Sequence, residues 1–90
     1  MKAFEGVPEF QYILGEHYET GSIVRRDDCA AVLWYKEAAS NGHADANFRL
    51  GFMHFNGFGV PVDKGRAGRH FRRASSLGHR EARYWLRRFS

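Results

Sequence analysis

The sequence predicts an all-α fold of stacked helix pairs, a short α/α solenoid, and three observations carry that expectation. Displacing the chain against itself by 36 positions brings Leu14-Gly15 onto Leu50-Gly51, Gly21 onto Gly57, Asp27 onto Asp63 and Gly42-His43 onto Gly78-His79, with no gap. Glycines and capping residues punctuate each copy at the same places. Between them, apolar residues recur at helical spacing. A fixed period of roughly 20 to 50 residues marks a solenoid, in which each supersecondary unit buries its apolar face against its neighbours.

Each unit reads as two helices. The first helices of the units, here the A helices, are expected over 9–20, 45–56 and 81–89, with Pro8 near the first helical position and Gly21 or Gly57 after the last. The second helices, the B helices, begin after Asp27 and Asp63, whose carboxylates suit the orphan amides of a first turn. They end before Gly42 and Gly78. Ala31, Trp34, Tyr35, Ala38 and Ala39 form one apolar stripe, and Ala67, Phe71 and Ala74 repeat it. Gly15, Gly51, Ala38 and Ala74 suit close helix crossings, where a larger side chain would hold two backbones apart. The last A helix has no B helix after it, and its Arg80, Arg83, Arg87 and Arg88 fit the polar outer face of a terminal capping helix.

The whole chain, 1–90, is expected to form one domain, with repeats at about 10–45 and 46–81 and the capping helix at about 81–89. At 43% apolar and 16% aromatic residues it is too hydrophobic to remain disordered, and no run approaches the ~20 apolar residues of a membrane-spanning helix. The opening Met-Lys-Ala-Phe-Glu-Gly-Val-Pro-Glu lacks the apolar core and cleavage site of a secretory signal, which points to the cytoplasm. The single cysteine, Cys29, has no internal disulfide partner. Charge is unevenly spread: residues 1–45 hold four basic and eight acidic side chains, residues 46–90 ten and two. Such a dipolar chain favours an acidic partner toward its C-terminal end, or head-to-tail self-association into a homo-oligomer.

Three strings then become specific: Leu14-Gly15-x-x-Tyr18-x-x-Gly21, Gly57-x-Gly59-Val60-x-x-Asp63, and Trp34-Tyr35-x-x-Ala38-Ala39-x-x-Gly42-His43. They resemble the Sel-1-like repeat family, relatives of the tetratricopeptide repeats, over about residues 10–89. The resemblance implies right-handed α/α solenoids that serve as protein-interaction scaffolds and adaptors, often in bacterial signalling, with no common catalytic activity. Departures from the family pattern are Ile23 in place of a glycine, His54 at the position of Tyr18, and His70 at the position of Trp34.

Catalytic and cofactor motifs find no support. Gly57 to Gly65 superficially resembles a phosphate-cradling loop, yet it matches neither phosphate-binding consensus and the repeat accounts for it as an A-to-B turn. His17, His54 and His70 show no metal-binding spacing, and His43 and His79 stand where an imidazole would satisfy the carbonyls ending a B helix. Neither a nucleophile motif nor a base beside Cys29 is present, so no enzyme, metal or cofactor is expected.

Recognition is expected on the A helices. At 100° per residue, Ala46, Leu50 and Met53 share one face of the middle A helix, while Phe48, Phe52 and Phe55 share the opposite one. Phe48 has aromatic register partners, Tyr12 and Tyr84, which suits packing between units. Phe52 and Phe55 correspond to charged residues, Glu16, Arg88 and Glu19. In a tetratricopeptide-like solenoid this side lines the concave groove. The candidate partner-binding set is therefore Tyr12, Glu16, Glu19, Phe48, Phe52, Phe55, Tyr84 and Arg88, suited to an amphipathic helix or extended peptide of another protein. The alternative is binding of nucleic acid or an acidic partner through Arg66, Arg69, Arg72, Arg73, Arg83, Arg87 and Arg88.

Overall fold

The computed structural model describes residues 7–89, which form α1 (Val7–Thr20), α2 (Asp28–Ser40), α3 (Ala44–Asn56), α4 (Lys64–Ser76) and α5 (Arg80–Phe89). Of the residues read for a secretory signal, 1–6 lie outside that range. Among the described residues no strand occurs, and no helix is long and apolar enough to cross a membrane. The A helices start one or two residues earlier than expected, and Pro8 occupies the second helical position, near the start as expected.

Register-equivalent residues make equivalent contacts. Asp27 and Asp63 are N-caps whose carboxylates accept from the Ala30 and Arg66 amides at 3.1 and 3.0 Å. The Asp27 amide donates to the Tyr18 carbonyl and the Asp63 amide to the His54 carbonyl, both at 2.9 Å, which closes each A-to-B turn. That bond shows the Gly57–Gly65 segment serving as the A-to-B turn of the second unit. Each B helix ends in a turn where Gly42 (φ 84°) or Gly78 (φ 95°) is left-handed, a conformation that costs any residue with a Cβ. The next amide, of His43 or His79, then reaches back to the carbonyl of Ala38 or Ala74 at 3.1 or 3.0 Å.

Packing runs down the chain: α1 on α2, α2 on α3, α3 on α4, α4 on α5. The pairs within a repeat approach most closely because a glycine faces an aromatic ring. A Cβ placed on Gly15 would stand 2.6 Å from the Tyr35 ring, and one on Gly51 2.6 Å from that of Phe71. Tyr35 and Phe71 are the largest buried side chains of two core clusters, one built on α2 and α3, the other on α4 with Phe48 and Ala82. Val32, rather than Trp34, completes the α2 stripe; Trp34 is half-buried on its flank. The result is a slab of 36 × 33 × 16 Å, with A helices along one face and B helices along the other.

The histidines at the repeat junctions do something other than expected. His43 and His79 do not bond the carbonyls ending the preceding B helix. They are the N-caps of α3 and α5, each accepting through Nδ1 at 3.1 Å, from the Ala46 amide and the Ala82 amide respectively. An accepting Nδ1 leaves the proton on Nε2, which faces Glu9 at 2.6 Å in the first case and Asp45 at 2.8 Å in the second. Each ring also stacks on an aromatic of the preceding A helix: His43 on Tyr12 at 4.6 Å and His79 on Phe48 at 4.5 Å. One imidazole therefore starts a helix and fixes it against the previous repeat.

Candidate functional site

The expected groove residues do not share one environment. Phe48 is buried at 7% exposure between Phe71 and His79, so it serves the interior and offers no ring to a ligand. Tyr12 is half-buried, flanked by His43 and Tyr35. Glu19 is engaged internally: the fully buried Tyr35 hydroxyl donates to it at 2.5 Å, and Arg49 lies 4.0 Å from its other oxygen. Burial first, and then the Glu19 carboxylate, pushes the Tyr35 hydroxyl well above the usual tyrosine range, so it stays a donor. Burial alone would disfavour the Arg49 charge, but Tyr12 and Glu19 outweigh it and the guanidinium is held more firmly protonated.

The remaining residues do face outward. Phe52 and Phe55 are both half-buried on the outer side of α3. Phe58, from the loop after α3 and 41% exposed, meets Phe52 edge-on at 6.4 Å. Phe55 packs on Trp85 of α5 at 6.4 Å, with the Lys64 ammonium 5.3 Å above its ring. Tyr84 is 55% exposed and is paired with Arg88, whose Nη1 donates to its hydroxyl at 3.2 Å. Two shallow clefts flank these rings. The first, about 250 Å³, is polar and lined by Glu16, Glu19, Thr20, Arg26, Arg49 and Phe58 among others. The second, about 370 Å³, is formed by Phe55, Lys64, Trp85 and Arg88.

Sequence reasoning missed Arg49, Phe58 and Trp85. Arg49 and Trp85 share a register position with Ile13, so three unlike side chains gave no periodic signal. Trp85 could have been noticed as the one tryptophan set among the arginines of the last helix. Phe58 belongs to a turn, where helical spacing says nothing about direction.

A model of the Sel1 repeat matches twice, at residues 8–43 and 44–79. The chain belongs to the Sel1 repeat family. A Sel1 repeat protein from Oxalobacter formigenes superposes with a TM-score of 0.89 at 41% identity, covering 94% of this chain and 25% of that one. An ERAD-associated E3 ubiquitin-protein ligase component of Arabidopsis thaliana is 37% identical over 66% of this chain. A chitin synthase regulator of Malassezia restricta is 46% identical over 67% of it. The chain spans only 9% and 4% of those two relatives' lengths. The Oxalobacter formigenes repeats share the stacked helix-pair fold of this chain, while the two relatives matched in sequence are a ligase component and a chitin synthase regulator.

Proposed function

We propose that this Sel1 repeat chain is a non-catalytic adaptor that binds an amphipathic helix or extended peptide of a partner protein across its A-helix face, in a signalling or regulatory setting. The observation that carries this is the accessible aromatic patch of Phe52, Phe55, Phe58 and Trp85. It is set between Glu16 on the acidic side and Arg88 on the basic side. Aromatic rings flanked by charge are the composition of protein-binding anchors, in which the rings give affinity and the charges set direction. Burying the accessible parts of two Phe rings contributes up to about 2 to 5 kcal/mol before ordering costs. The relatives named as a ligase component and an enzyme regulator fit a module that acts through other proteins.

Replacing Phe52 and Phe55 together by Ser tests the reading. Both rings lie at the surface edge of the core, so circular dichroism should retain its helical signal while pull-down of the partner is lost. Retained capture would remove the rings from the binding site. Loss of helicity would assign them to the core instead.

A further inference from the structure

On the other side of the slab, α2 and α4 leave a cleft of about 430 Å³ over α3. Its walls carry Lys36 from α2 and Arg66, Arg69 and Arg73 from α4; its floor is Ala39, Asn47 and Leu50; His70 stands between. No carboxylate lines it. Of the four cations only Arg66 has an ion-pair partner among the described residues, Asp63 at 3.4 Å. Lys36, Arg69 and Arg73 converge without an ion-pair partner among the described residues, an arrangement whose mutual repulsion an anion would relieve. The positive field is felt inside the fold: after burial itself, Arg66, Arg69 and Arg73 are among the groups that hold the His70 ring in its neutral form.

We propose that this B-helix cleft is a second binding site, which takes the clustered carboxylates of an acidic protein segment. Charge-assisted hydrogen bonds from converging arginines suit carboxylate oxygens, and three guanidiniums on one helix face match several acidic side chains in succession. Two features favour a short acidic peptide over nucleic acid. The lining holds no phenylalanine, tyrosine or tryptophan on which bases would stack. The positive surface is also local: residues 1–45 carry twice as many acidic as basic side chains, so a long polyphosphate extending beyond the cleft gains no net attraction from that half of the chain. The site lies on the face of α3 opposite Phe52, so it does not depend on the groove reading.

Fluorescence anisotropy with a fluorescein-labelled hexaglutamate peptide tests it at 50 mM and 200 mM salt. The expected result is saturable binding at the lower salt that weakens sharply at the higher, since exposed charges are screened beyond about 10 Å at 0.1 M. Arg69→Gln with Arg73→Gln should weaken binding about tenfold or more. Arg83→Gln with Arg87→Gln, on α5, and Phe52→Ser with Phe55→Ser should leave it unchanged. Thermal melts check that each variant is folded, and Lys36→Gln on the opposite wall serves if the α4 pair is not. Absence of saturable binding, an equal loss from the α5 pair, or tighter binding of a mixed-sequence oligonucleotide than of hexaglutamate would overturn the assignment.

Discussion

Gly51→Leu is expected to abolish folding. Even the Cβ alone would meet Phe71 Cε1 at 2.6 Å and the backbone carbonyl of Ala67 at 3.1 Å, and Phe71 is buried at 1% exposure. Overpacking of a core by a methylene costs about 1 to 3 kcal/mol. A leucine adds several such groups at a helix crossing, where α3 and α4 would have to separate. A domain of this size holds only about 5 to 15 kcal/mol in total. Circular dichroism should show an unfolded chain at 25 °C. Gly68→Ala is the control: it lies within α4, a Cβ there has nothing within 4 Å, and removing a helical glycine should stabilise by up to about 1 kcal/mol. A folded Gly51→Leu variant would show that the two helices do not meet through this glycine.

Acidification is the second large effect. In the second repeat, His54 and His70 replace the Tyr18 and Trp34 positions and stack on each other, 5.5 Å apart and 9° from parallel. His54 is 5% exposed and neither ring nitrogen has a partner. Burial lowers the affinity of both rings for protons, helped by Arg66, and brings His70 from its ordinary value of 6.5 to about 4. The unfolded chain then binds more protons than the folded one between those values. The stability held in keeping these rings neutral is complete above about pH 6.5 and is lost as the pH falls toward 4. From pH 7 to 5, His70 should remove about 1 to 2 kcal/mol, since solvent at its open edge screens part of the effect, and His54 acts in the same direction. Urea unfolding at the two pH values measures it. His54→Tyr with His70→Trp, which restores the side chains of the first repeat, should flatten the dependence; an undiminished loss in that variant would place the titrating groups elsewhere.

The period of the sequence foretold the helices because turn glycines and Asp N-caps act locally. Asp27, Asp63, Gly42 and Gly78 do in the structure what their chemistry dictates, and Gly15 and Gly51 meet the rings of Tyr35 and Phe71. His43 and His79 were harder to read. A residue between two helices can cap either, and only the fold shows Nδ1 turned forward. One sign was available: a carboxylate 34 residues before each histidine, Glu9 and Asp45, recurs with the repeat. The groove was partly legible, since Phe52 and Phe55 do lie outward, but the burial of Phe48 and the engagement of Glu19 by Tyr35 and Arg49 depend on contacts between helices far apart in the chain. The cationic cleft was the least legible feature. Lys36 and Arg69 stand on different repeats, and nothing in either helix alone brings them together.

The proposed recognition surface is the A-helix face. The direct measurement is an amide chemical-shift map of the ¹⁵N-labelled chain, titrated with a peptide selected from a displayed library and lacking acidic residues. Binding on that face should gather the shifts around Arg49, Phe52, Phe55 and Trp85. Shifts confined to α2 and the outer side of α4, with those four positions silent, would contradict it.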